Sequence, residues 1–245
     1  AAIRRAGMLR VENLLDLFVA VETLARGQRF DGDRLLIVSN GGGAGVLAAD
    51  AAALGGARLA ELSDATRKAL DAVLPPTWSR ANPVDIGGEA PVELYVEALK
   101  VHGNAPEADA VLFIHAPSAI VAADTIAEAC VPVVKSSSKP VLSCWLGAAA
   151  VEDARRRFAQ AGIASYGTPE EAVRAFVHSV TFRRNQEQLM QAPPSSGEEP
   201  PPDRARARGL MRTAVTAGQQ WLTEAQTRDL LAAYGIPVVP TRSAA

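Results

Sequence analysis

The sequence predicts an α/β fold, a doubly wound parallel sheet covered by helices on both faces. Three observations carry this. Short apolar runs alternate with longer segments of helical pattern. Those runs are apolar throughout rather than at every second position, as strands buried on both faces require. The first of them, Leu35 to Val38, runs through Ser39 and Asn40 into three successive glycines and then an Ala- and Leu-rich stretch. That is the pattern of a strand, a tight turn and a helix N-terminus.

Element by element, residues 1–29 read as a helix and its connector. Leu14, Leu15, Leu17, Phe18, Val21 and Leu24 recur at helical spacing, with Glu12, Asp16 and Glu22 between them. The chain opens at Ala1-Ala2-Ile3 with neither methionine nor cap, as expected of a piece of something longer. Residues 34–39 form the first strand, and the helix behind the glycines runs to about Leu54, where Gly55-Gly56 stops it. Ala57–Ala60 reads as a short second strand. Ser63 opens a helix that ends near Pro75-Pro76.

The segment Asn82-Pro83-Val84-Asp85-Ile86-Gly87-Gly88 is turn-rich around a short apolar piece, and a helix follows from Pro91 to about Val101. Ala110 to Ile114 is the clearest strand and ends at His115-Ala116-Pro117-Ser118. A helix over Val121–Ala129, a strand over Pro140–Cys144, a helix over Val151–Ala161 and a strand over Ile163–Tyr166 come next. Thr168-Pro169-Glu170-Glu171 starts a last helix, to about Met190, with cap and proline in the expected places. About five strands joined right-handedly make the sheet flavodoxin-like, and ligands of such sheets lie beyond the strands' carboxyl ends.

Beyond Met190 the composition changes. Residues 191–219 are a Pro-rich linker and an arginine-studded helix. Residues 220–245 read as one helix and one strand, Ile236–Pro240, the opening of a domain the chain does not complete. Residues 30–190 are then the sheet domain.

Composition narrows the function classes. The chain has 245 residues, 48 % hydrophobic and 21 % charged, with a net charge of −2, so nothing points to nucleic acid or an anionic membrane surface. No apolar run reaches the ~18 residues of a membrane span, and no signal-peptide core is visible, so a cytoplasmic protein is expected. Cys130 and Cys144 make neither a disulfide framework nor a metal site.

The candidate site is the turn itself. Ser39 and Asn40 are good helix-cap types, and Asn40, Gly41, Gly42, Gly43, Ala44 and Gly45 would present helix N–H groups to an anion, phosphate being the commonest. Ala116, Pro117 and Ser118 lie at a second strand's carboxyl end; whether they take the phosphate instead is an alternative that the family resemblance given below leaves open. Gly43-Ala44-Gly45-Val46-Leu47-Ala48 also fits the dinucleotide fingerprint, with Glu61 after the second strand. The Walker pattern fails, since no Gly-Lys-Ser/Thr follows. His102 reads as a surface residue at a helix end, His178 as a helix-face residue and Arg183-Arg184 as a solvated face. His115 has the best position of the three histidines for function. No catalytic triad assembles from these residues.

Taken together, Ser39 to Asp50, Asn82 to Gly88, Lys139-Pro140-Val141-Leu142, and Leu222 to Val238 resemble, in order, motifs of NDP-forming acyl-CoA synthetases. These are single-chain relatives of succinyl-CoA synthetase. The tract Phe182 to Glu187 before a proline linker is similar to members fused to a GNAT acetyltransferase. The resemblance implies a succinyl-CoA ligase-like flavodoxin domain followed by the first elements of an ATP-grasp domain. It implies acyl-CoA formation from an acid, CoA and ATP with Mg, through a phosphohistidine carried on another domain.

The partners so implied are the CoA-binding and phosphohistidine domains of the same full-length chain and its ATP-grasp domain, with homo-oligomers compatible. The Ser-His-Thr-Gly segment of the family is absent, so no histidine here is assigned as nucleophile, and the chain alone is not expected to turn over. Phosphate or sulfate is the only ligand expected on it. The alternative implied by the fusion members is a non-catalytic acyl-CoA-sensing module.

Overall fold

The protein is described by a computed structural model covering residues 2–25, 30–191 and 201–239. It divides into two compact units, Ala1–Gln191 and Ala192–Ala245.

Unit 1 opens with α1 (Ala2–Arg5) and α2 (Leu14–Ala25). The sheet elements follow: β1 (Arg34–Ser39), α3 (Gly42–Gly55), β2 (Arg58–Leu59), α4 (Asp64–Asp71), β3 (Val84–Asp85) and α5 (Val92–His102). Then come β4 (Ala110–His115), α6 (Ala123–Ser136), β5 (Val141–Trp145), α7 (Glu152–Gln160), β6 (Ala164–Tyr166) and α8 (Pro169–Met190).

Every strand pairing is parallel, in the order β2-β1-β4-β5-β6, with β3 also on β1. Leaving β3 aside, this is the flavodoxin order, whose direction of winding reverses between β1 and β4. Side chains alternate across the sheet. Leu36, Val38, Val111, Phe113 and Trp145 join one core with α4 to α7. Leu35, Ile37, Leu112, Ile114 and Cys144 join the other with α3 and α8.

The Asn82 amide completes the β1 edge between its two short neighbours. Its Oδ1 accepts from Ile37 N at 3.0 Å, and its Nδ2 donates to Leu35 O and Ala60 O, both at 2.9 Å.

The apolar stripe of α2 faces outward: Phe18 is 64 % exposed, while Asp16, at 7 %, is turned inward. Two expectations are corrected. His102 is not a surface residue but fully buried, with Nδ1 2.5 Å from Ala98 O in the preceding turn. Arg184 is not merely solvated, because it pairs with Asp33 ahead of β1.

Unit 2 holds α9 (Arg204–Thr216) and α10 (Glu224–Ala233). Thr223 and Gln226 form a reciprocal cap on α10, and Asp203 N donates to Ala233 O at 2.8 Å. The strand expected over Ile236–Pro240 is not formed across 236–239, and the described residues of unit 2 contain no strand that could offer a ladder; Pro240 lies outside the described residues. Most of the proline-rich linker, 192–200, also lies outside them. Among the described residues no helix is long and apolar enough to cross a membrane.

Candidate functional site

β1 and β4 are in register with Ser39 opposite Ile114, so their carboxyl ends lie side by side at the winding reversal. The chain leaves β1 through Asn40, which is buried and spends its side chain on β4. Its Oδ1 accepts from Ala116 N at 2.7 Å and its Nδ2 donates to Ala116 O at 2.8 Å. Ser39 Oγ closes a small turn with Gly41, accepting from its N–H and donating to its carbonyl, each at 3.0 Å.

The expected side-chain cap is therefore absent. The N-cap of α3 is Gly41, and no side chain caps the helix. Ser39 and Asn40 brace the turn instead, which leaves the first-turn N–H groups of Gly42, Gly43 and Ala44 to a ligand or solvent. A helix of 14 residues adds its positive end at the same point.

The glycines here do not serve positive φ, which none of Gly41, Gly42, Gly43 or Gly45 adopts. They serve close approach. A Cβ on Gly41 would come within 3.0 Å of Ala116 Cβ, one on Gly42 within 2.8 Å of Asp85 Oδ2, and one on Gly45 within 3.1 Å of Pro83 Cβ. Gly43 is different, since a Cβ there would meet nothing within 4 Å.

Beside the turn lies a cavity of about 280 Å³ lined by Ser39, Gly42, Gly45, Pro83 and Asp85. Asp85 is a residue the sequence reading did not single out. Its Oδ1 accepts from Gly87 N at 2.9 Å, which holds the carboxylate against the first residue of α3. Its place in the Asn82–Gly88 segment and the pairing of β3 with β1 are what bring it there.

The second turn, Ala116-Pro117-Ser118, follows β4. Together with the start of α6, whose N-cap Ala122 also makes no side-chain cap, it borders a cavity of about 270 Å³. His115 lines that cavity from a buried position, its ring centroid 5.1 Å from that of Trp145 and its Nδ1 3.3 Å from the Tyr95 hydroxyl. Burial pushes the imidazole down to about 4, so it is neutral at pH 7. The same cavity carries Asp124 and Asp153, which pair with Arg157 and Arg156. The structure thus brings the two candidate turns together through Asn40, with two helix N-termini at one edge of the sheet. His178 is half-buried on α8, and among the described residues no group of acidic, histidine or cysteine side chains has the makings of a metal site.

The profile of the Ligase-CoA domain matches residues 35–190. An ADP-forming acetate–CoA ligase I from Archaeoglobus fulgidus is 30 % identical over 98 % of this chain and 33 % of its own length. The α subunit of acetate–CoA ligase I (ADP-forming) from Pyrococcus furiosus is 29 % identical over 71 % of this chain and 38 % of that subunit. Among solved structures, a dinucleotide-forming acetyl-coenzyme A synthetase 1 of Ca. Korarchaeum cryptofilum, in complex with phosphate and ADP, superposes with a TM-score of 0.72 at 29 % identity. It covers 77 % of this chain and 41 % of that one. The chain spans about a third of the length of the ligases that match it nearly end to end.

Proposed function

The chain belongs to the Ligase-CoA domain family, and from that membership we propose that it is part of an ADP-forming acyl-CoA synthetase in which the N-terminus of α3 takes up the phosphoryl group of a histidine carried on another domain. The observation that carries this reading is Gly43. Its glycine neighbours answer to packing, whereas Gly43 faces open space over three uncommitted N–H groups. Absence of a side chain there clears an approach rather than relieving a contact.

No lysine or arginine stands in the turn. Binding by N–H dipoles alone suits a group that must be released again, where a cationic clamp would hold it. Asn40 acts here through its brace on Ala116, which fixes the turn's aim, and not as a direct donor. Carboxylates stand beside both turns, Asp85 at the first and Asp124 and Asp153 at the second, so it is the open space over Gly43 that gives the turn after β4 the lesser part.

ATP, CoA and Mg enter in this reading through the whole synthetase, and none of the described residues is assigned to them. Unit 2 is read as the start of the ATP-grasp domain. The same reading places the protein in the cytoplasm.

The test is Gly43→Val in the full-length synthetase. The φ of Gly43 and the space around it admit the side chain, so circular dichroism should be unchanged. Phosphohistidine formation and acyl-CoA synthesis should fall by ~2–4 kcal/mol of transition-state stabilisation, about 30- to 1,000-fold, as for an anion hole deprived of a donor. A folded variant with wild-type phosphorylation sinks the assignment.

A further inference from the structure

His115 is a buried polar side chain with one nitrogen unpaired. It closes β4, is fully enclosed, and meets the Tyr95 hydroxyl through Nδ1 at 3.3 Å. Its Nε2 has no partner among the described residues. The neighbouring strand end repeats the pattern. Trp145 stands opposite His115 in register, is equally buried, and its Nε1 also has no partner there. The two rings lie 5.1 Å apart at a tilt of 52°, yet neither nitrogen serves the other. Buried polar atoms are nearly always satisfied, so two orphans at adjacent strand ends point to a ligand.

Both orphans are donors. Tryptophan has no other option. For His115 the tautomer follows from Tyr95. The Asn40 side chain lies within bonding reach of the Tyr95 hydroxyl. Its Oδ1 is held by Ala116 N, so what it offers Tyr95 is an amide N–H. The hydroxyl then gives its own hydrogen to His115 Nδ1, and the proton of the neutral imidazole sits on Nε2. His115 lines the cavity of about 270 Å³ between the turn after β4 and the start of α6. With Nδ1 turned to Tyr95, the edge it gives that cavity is the Nε2 edge. The first turn of α6, a helix of 14 residues without a side-chain cap, brings free N–H groups to the same place. Pro117, Val121, Ala149 and Ala150 make the rest of the wall small and apolar.

We propose that this cavity binds a carboxylate, one oxygen of which accepts from His115 Nε2, and that Tyr95 is the positioning residue that holds His115 in the donating tautomer. The donors are uncharged, and the two acids at the rim, Asp124 and Asp153, are paired with Arg157 and Arg156. That balance suits a single negative charge. A phosphoryl dianion would bring twice the charge to a rim that already holds two carboxylates, and among the described residues no lysine or arginine lines the cavity to meet it. The turn after β4 thereby has a ligand of its own, apart from the phosphoryl group assigned to α3.

The experiment is nitrogen NMR of the isotope-labelled 245-residue chain, titrated with acetate and, separately, with inorganic phosphate. At pH 7 His115 should show a protonated Nε2 and a bare Nδ1. Acetate should shift the Nε2–H resonance along a saturable curve, and phosphate should not. His115→Phe keeps a ring in the core but no donor. It should weaken acetate binding, read from the amides in the first turn of α6, by roughly tenfold, while His115→Gln keeps a donor and should retain most of it. Tyr95→Phe should leave His115 as a mixture of tautomers and weaken acetate by a few-fold, a signature that loss of packing alone does not give. If His115→Phe does not fold, the Gln and Tyr95→Phe variants decide. A bare Nε2 in the wild type overturns the proposal, as does a His115 that answers neither anion, or acetate binding unchanged without the donor. A His115 that answers phosphate and not acetate overturns it in favour of a second phosphoryl site. The readout needs no phosphoryl transfer, so a His115 that answers acetate alongside an indifferent Gly43→Val would sink the phosphoryl reading alone.

Discussion

Gly41 and Gly43 are two residues apart and answer to different demands. The Cβ of an alanine at 41 would press within 3.0 Å of Ala116 Cβ, an atom fixed by the strand end it sits on. Gly41→Ala should cost ~1–3 kcal/mol by overpacking. Gly43→Ala meets nothing and gains helix propensity, so it should be neutral or stabilising by up to ~1 kcal/mol. Denaturant unfolding of the two variants checks the contrast; equal losses would mean that the turn is strained in a way the contacts do not show.

The histidines set a second expectation at this scale. Burial pushes both His102 and His115 down to about 4 from an ordinary 6.5. The unfolded chain takes up protons below pH 6.5 that the folded chain refuses until about pH 4. The stability linked to these two groups is therefore fully present above pH 6.5 and is lost as pH falls through that window. Asp109 acts lower down, because its hydrogen bond from Arg34 holds its carboxyl below 3.8 and its contribution is lost only beneath that value. The thermal midpoint should drop between pH 7 and pH 5, and the imidazole resonances of both histidines should show no titration near 6.5.

At the scale of elements, the strands were the legible part. Leu35 to Val38 and Ala110 to Ile114 are apolar on both faces, and only a sheet covered on both sides uses such runs. The α3 turn was legible as a helix start, but not the roles of its residues. Ser39 and Asn40 have the composition of caps, and what diverts them is β4 lying alongside, a long-range fact that local preference does not contain. Asp85 was hidden for the same reason, since β3 is two residues long and exists only by pairing with β1.

α2 shows the limit of periodicity. The 3.6-residue spacing of its leucines finds one apolar face and says nothing of what that face meets. The Asp16–Arg174 pair joins residues 158 apart in sequence and turns the helix round. His102 likewise looked like a surface residue because a polar side chain at a helix end usually is one, whereas its hydrogen bond to Ala98 O lets it sit buried and neutral.

At the scale of the molecule the two units differ in what they can bury. Unit 1 encloses Trp145, Tyr95, Phe113, Phe158 and Phe176 among many aliphatic side chains. Among the described residues of unit 2, the buried side chains are Ala207, Ala214 and Ala233, while Trp221 and Val215 stand exposed. Alanines shed too little apolar surface to offset the ordering of two helices, so unit 2 cannot hold its fold alone.

The sequence just after the unit boundary, residues 192–203, is rich in proline, serine and glutamate. Limited proteolysis should therefore cut first within residues 191–203. The larger product should keep the thermal transition of the intact chain, and the smaller one should be degraded on continued digestion. A linker as resistant as the sheet would place the boundary elsewhere. A small fragment that survived with helical circular dichroism would show that α9 and α10 are a self-sufficient hairpin rather than the opening of a larger domain.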